Sequence, residues 1–142
     1  MSRSGYTDDY DDIGQLNRWR ANVDRAVRGK RGQKFLREMA AALDAMPVKE
    51  LVADEVVRDS EHVCAMGAVA LARKLDVSQI DPYDRDEVAK TFDIAPTMAC
   101  EIAFENDERR AWSGAKETPA ERWARMRQWV AEKLDPNGAV GR

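Results

Sequence analysis

The chain has 142 residues, of which 44% are hydrophobic and 35% charged, and a formal net charge of −3. That length suits one domain able to bury a core without disulfides or a metal, and no apolar run reaches the roughly 18 to 20 residues that a membrane-spanning helix needs. Two cysteines, Cys64 and Cys100, are too few for a disulfide scaffold and are expected to be free thiols.

Met1-Ser2-Arg3-Ser4-Gly5 leads into acidic residues instead of an apolar stretch, so no secretory signal is expected and the location reads as cytoplasmic. Residues 1–11 are small, polar and acidic, with two tyrosines, and are expected to form a flexible arm that contributes little to the core. Residues 12–135 read as a single helical domain and 136–142 as a loose tail. From Ile13, the residues Leu16, Trp19, Val23, Ala26 and Val27 recur at helical spacing until Gly29 ends the run. A second helix from Lys30 or Arg31 carries Phe35, Leu36, Met39, Leu43 and Met46 and stops at Pro47. The two should form a helical hairpin.

Val48, Leu51, Val52, Val56, Val57 and Val63 fit either a short helix or extended segments, and a helix over 48–57 is the favoured expectation. The run Cys64 to Leu75 is apolar nearly all round and predicts the central helix of the bundle, with Gly67 marking a close approach by another backbone. Asp81-Pro82 and Asp84 offer starts for a short helix ending at Phe92, and Ala95-Pro96 opens another through about Asn106. Thr118-Pro119-Ala120-Glu121 has the form of a reciprocal capping box, starting a helix that buries Trp123, Met126, Val130 and either Trp129 or Leu134. The predicted fold class is therefore all-α, a compact bundle of about five to six helices behind an acidic N-terminal arm.

Charge is segregated along this pattern. Arg18, Arg20, Arg25, Arg28, Lys30, Arg31, Lys34 and Arg37 form a block in which Asp24 is the sole acid, which makes them a candidate basic partner-binding patch. Glu101, Glu105, Asp107 and Glu108 form a candidate acidic patch, able either to meet a positively charged channel in the manner of phosphates or to neutralise the basic block within the fold. Trp112, in the loop 109–116, is a candidate exposed anchor.

Several motif look-alikes carry less. Val88 to Ile102 has helix-turn-helix spacing, but its second helix bears Glu101 and Glu105 and has no Arg or Lys between Pro96 and Glu108, which argues against groove reading. Ala72 to Ser78 and Ala89 to Ala95 suggest a repeat of seventeen residues, or two similar helix corners. His62 and Cys64, with Asn106 or Asp107, would make a nucleophilic set only if imidazole and thiol met, which a two-residue spacing allows on extended chain and not on a helix. A zinc site from His62, Cys64 and Cys100 lacks a fourth ligand. Gly29-Lys30-Arg31-Gly32 lacks the strand and the spacing of a phosphate-binding loop. No catalytic residue, cofactor or metal is expected.

Arg28-Gly29-Lys30-Arg31-Gly32-Gln33 leading into Phe35-Leu36-Arg37-Glu38-Met39, then Cys64-Ala65-Met66-Gly67-Ala68, Asn106-Asp107-Glu108, and Thr118-Pro119 before Arg122 and Trp129, resemble a group of small uncharacterised proteins of tailed phages and prophages. The likeness spans Trp19 to Leu134 and implies a viral origin in a bacterial cytoplasm, without an attached activity. It suggests an accessory protein that binds a host machine, such as a CRISPR effector or another defence complex, and blocks it. The expected partner is a host protein or protein–nucleic-acid complex, with direct nucleic-acid binding the alternative, a homodimer open, and no membrane.

Overall fold

The computed structural model describes residues 3–6, 13–59, 61–109 and 116–135. Six helices and one two-stranded hairpin occur among them: α1 (Ile13–Arg28), α2 (Lys30–Ala45), β1 (Val57–Asp59), β2 (His62–Val63), α3 (Ala65–Arg73), α4 (Arg85–Phe92), α5 (Pro96–Asp107) and α6 (Pro119–Lys133). The expected all-α bundle is what forms.

The turn between α1 and α2 is a single residue, Gly29, whose N–H donates to the Arg25 carbonyl while its own carbonyl accepts from Gln33. So tight a reversal brings the helices into backbone contact: a Cβ on Gly32 would stand 2.0 Å from the Ala26 oxygen. Along α2, Phe35, Leu36, Met39 and Leu43 are all buried, as their helical spacing predicts. They meet α1, α3 and α6.

Residues 48–56 are not helical, contrary to the favoured expectation. Their backbone is committed elsewhere: the Leu51 N–H donates to Pro119, that of Val52 to Val63, and the Val56 carbonyl accepts from Cys64. Asp54, at φ +68°, also breaks helical geometry. The stretch still buries Leu51, Val52 and Val56, then turns into the antiparallel pair β1–β2, with Val57 opposite Val63 and Asp59 opposite His62.

The most enclosed helix is α5, not α3. In α3 burial stops at Ala70, and Leu71 is 42% exposed. In α5 every residue from Met98 to Asn106 is buried, because α1, α3, α4 and α6 all touch it. Gly67 does mark the backbone crossing expected of it: a Cβ there would lie 2.0 Å from the Val56 oxygen.

The suspected repeat is a shared manner of ending a helix. Lys74 (φ 56°) and Asp93 (φ 59°) are both left-handed caps, and the residue after each, Leu75 or Ile94, donates to the carbonyl of Ala70 or Ala89. These are Schellman ends. They lie nineteen residues apart, not seventeen. Asp84 caps α4, leaving Asp81 to organise the preceding turn, and the Thr118 capping box forms in full at α6.

Candidate functional site

The basic block gathers at one edge of the bundle. Arg18, Arg25, Arg28, Lys30, Arg31, Lys34 and Arg37 are exposed, and the one-residue turn at Gly29 sets the end of α1 beside the start of α2. Arg31 approaches Asp93 at 3.4 Å across an exposed gap, and Arg25 donates to Asn22 at 3.0 Å. The depression beside the turn, about 480 Å³, is lined by Ala21, Asp24, Arg25, Arg28 and Gly29.

Arg25 and Arg28 complement the C-terminus of α1, but local helix chemistry is inverted at the start of α2. A helix start carries partial positive charge and favours acids, yet α2 has no acid in its first turn. It carries Lys30 and Arg31 there, and Gly29 supplies no side-chain cap. Locally unfavourable choices of this kind concentrate where a surface serves something outside the fold.

Arg20 is set apart from the block. Its guanidinium turns inward and donates to both oxygens of Glu101 at 2.9 Å.

The acidic residues do not form a solvent-facing patch. Glu101 is 2% exposed and Glu105 5%, and the Asp107 side chain is equally enclosed. A buried carboxylate must be paired or protonated, and cations converge on this helix. Arg3 donates from Nε and Nη2 to the two oxygens of Asp107, each at 2.6 Å, and Ser4 donates to Glu108. Glu105 faces Arg109 and Arg125 at 3.5 and 3.8 Å, and its burial pushes its pKa upward against the pull of these cations.

Residues Arg3–Tyr6 therefore dock on α5, where composition led us to expect a segment with little part in the core. Tyr6 lies between Trp19 and Phe104, at centroid separations of 5.6 and 5.1 Å, and donates its hydroxyl to Glu101 at 3.0 Å. Burial, reinforced by Glu101, pushes the phenol pKa upward, so it stays a neutral donor. The sequence signal for this docking was Arg3 and Tyr6 standing in an otherwise acidic, polar stretch, matched by carboxylates on an apolar helix.

Of the nucleophilic set, Cys64, Asn106 and Asp107 come together and His62 does not join them. His62 is exposed and its Nδ1 pairs with Asp59 at 2.7 Å. Cys64 is fully buried at the N-cap of α3, where its sulfur accepts from the Gly67 N–H at 3.4 Å and from Arg3 Nη1 at 3.5 Å. No group of three or more His, Cys, Asp or Glu able to hold a metal occurs among the described residues. The helix-turn-helix-like corner exists as α4–α5, but its second helix is enclosed and unable to enter a groove. Trp112 lies outside the described residues.

Two buried polar side chains, whose bridging roles the sequence did not reveal, hold this arrangement. Asn106 donates to the Val52 carbonyl at 2.9 Å and to Asp107 at 2.7 Å, and accepts from the Ala65 N–H. Gln33 joins the α1–α2 turn to the end of α6 through Val27, Lys133 and Asp135. Comparison with protein-family models, curated protein sequences and solved structures finds no match.

Proposed function

We propose that this protein is a binding module that docks an anionic surface of a larger bacterial assembly through the α1–α2 edge, with no chemical transformation of its own. The observation that carries the reading is the start of α2, where an uncapped helix N-terminus meets Arg25, Arg28, Lys30, Arg31 and Lys34 with no acid in the first turn. The dipole of α2 and the exposed cations act in the same direction on an approaching carboxylate or phosphate. The likeness of Arg28 to Gln33 and its companion motifs to tailed-phage and prophage proteins supports a host machine in the bacterial cytoplasm as the partner. A defence complex such as a CRISPR effector is the leading candidate, with inhibition as the outcome.

The test is a pull-down from nuclease-treated host lysate with the wild-type chain and with the variant carrying Arg28→Glu, Lys30→Glu, Arg31→Glu and Lys34→Glu. A partner held by the first and lost by the second is the expected result. Equal recovery by both would remove the α1–α2 edge from the interaction.

Direct phosphate binding is a second reading favoured by the same cationic helix start. It requires an affinity for double-stranded DNA or RNA that falls steeply with added salt and vanishes in the variant. A partner that survives nuclease treatment and competes with neither nucleic acid favours the protein surface.

A further inference from the structure

Arg3–Tyr6 lie in α5's acidic groove in the way a short peptide lies in a receptor. We infer that this groove binds an arginine-bearing polypeptide segment, and that Arg3–Tyr6 occupy it in cis as an internal ligand. The site is separate from the α1–α2 edge, so the inference stands or falls independently of the function proposed above.

The groove is organised by the core and not by its occupant. Asn106 is tied to Val52, ahead of β1, and to Ala65, the first residue of α3, and from that position it donates to Asp107 at 2.7 Å. Asp107 then presents both oxygens to one guanidinium at 2.6 Å each, while the Cys64 sulfur accepts a third N–H at 3.5 Å. A planar fork of donors fits that arrangement, and the compact ammonium of lysine does not reproduce it.

Selectivity extends beyond arginine. Glu108 accepts the hydroxyl of the next residue, Ser4, and the Trp19–Phe104 cleft with Glu101 at its end takes the tyrosine two positions further on. Gly5, at φ +71°, makes the turn that lets both ends of the segment reach their sites. An empty groove leaves both Asp107 oxygens without their bidentate partner and open to another guanidinium, so closure by this segment competes with closure by an equivalent one from another protein.

Cys64 reports the state of the groove, because Arg3 covers it and the thiol has no exposed surface. In the full chain carrying Cys100→Ala, Cys64 is the sole thiol, and its rate of reaction with 5,5′-dithiobis(2-nitrobenzoate) measures opening. Adding Arg3→Ala is expected to raise that rate about ten-fold or more. A capped peptide spanning Arg3–Tyr6, at millimolar concentration, is expected to restore slow labelling of the Arg3→Ala chain, and the same peptide with Arg3→Lys is not. Amide exchange at Leu36, Met39 and Leu43, all fully buried in α2, should stay slow throughout. Labelling that ignores Arg3→Ala, a peptide that gives no protection, or α2 amides that accelerate in step with the thiol would each overturn the inference.

Discussion

Gln33 and Lys133 are joined across a separation of one hundred residues by a single hydrogen bond, 3.0 Å from the Gln33 amide to the Lys133 carbonyl. The same amide donates to Val27 at 2.8 Å, and its oxygen accepts from the Asp135 N–H at 2.8 Å. One side chain thus closes the α1–α2 turn against the end of α6. Gln33→Leu leaves these backbone groups without their partner, and the expected loss is about 2 to 3 kcal/mol in urea denaturation. A loss below measurement error would show that water replaces the amide at no cost.

The two glycines with contrasting surroundings should respond differently to alanine. Gly67→Ala drives a methyl into the Val56 carbonyl and the Val63 side chain, so α3 must move off β1–β2, at an expected cost of about 2 to 3 kcal/mol. Gly29→Ala meets the Arg25 carbonyl at 3.3 Å and the Ala26 carbonyl at 3.8 Å, at a φ of −67° that any residue adopts. It is expected to change stability by less than about 1 kcal/mol. Paired thermal melts decide, and a Gly67→Ala chain as stable as wild type would refute the crossing.

Acid stability should depend in part on Glu38. Its hydrogen bonds from Arg73 hold its carboxyl below the usual pKa, so it favours the folded state above that ordinary value, and the contribution is lost as pH falls through the lowered one. Both side chains are 29% exposed, which limits the effect to about 0.5 to 1 kcal/mol at neutral pH. Glu38→Gln should lose that amount at pH 7, with the gap to wild type closing in acid. A gap of constant size from pH 7 to pH 2 would exclude the ion pair as its cause.

The start of α6 offers a simpler check. Thr118 accepts from the Glu121 N–H at 3.1 Å, and Glu121 reaches back to the Thr118 N–H at 2.9 Å. Thr118→Ala breaks this reciprocity and should cost about 1 kcal/mol by thermal denaturation. Thr118→Ser should retain most of it.

Much of the scaffold was legible because helix periodicity and punctuation are local signals. Pro47, the Thr118 capping box and the stripe from Phe35 to Leu43 each act over a few residues, and each mapped onto the expected element. The segment 48–56 was not legible, since its valines look helical and its backbone partners, Pro119 and Val63, are set by tertiary contact. Of the basic block, Arg18, Arg25, Arg28, Lys30, Arg31, Lys34 and Arg37 lie exposed, whereas Arg20 is drawn inward by Glu101, a pairing that the charge pattern does not reveal. Composition left the acids open between an outward patch and neutralisation within the fold, because it shows charge and does not show whether an arginine will meet it from far along the chain. The bonds of Asp107 with Arg3, and of Glu101 with Arg20, span 104 and 81 residues.

Those distances also set a condition for keeping water out of the interior. The α4–α5 corner is built from neighbouring residues, but the burial of Glu101, Glu105 and Asp107 within it relies on cations from both ends of the sequence. Shielding of these carboxylates therefore draws on α1, on α6 and on Arg3, each of which brings a cation to α5 from far along the chain. A chain built this way balances its interior charge through residues distant in sequence.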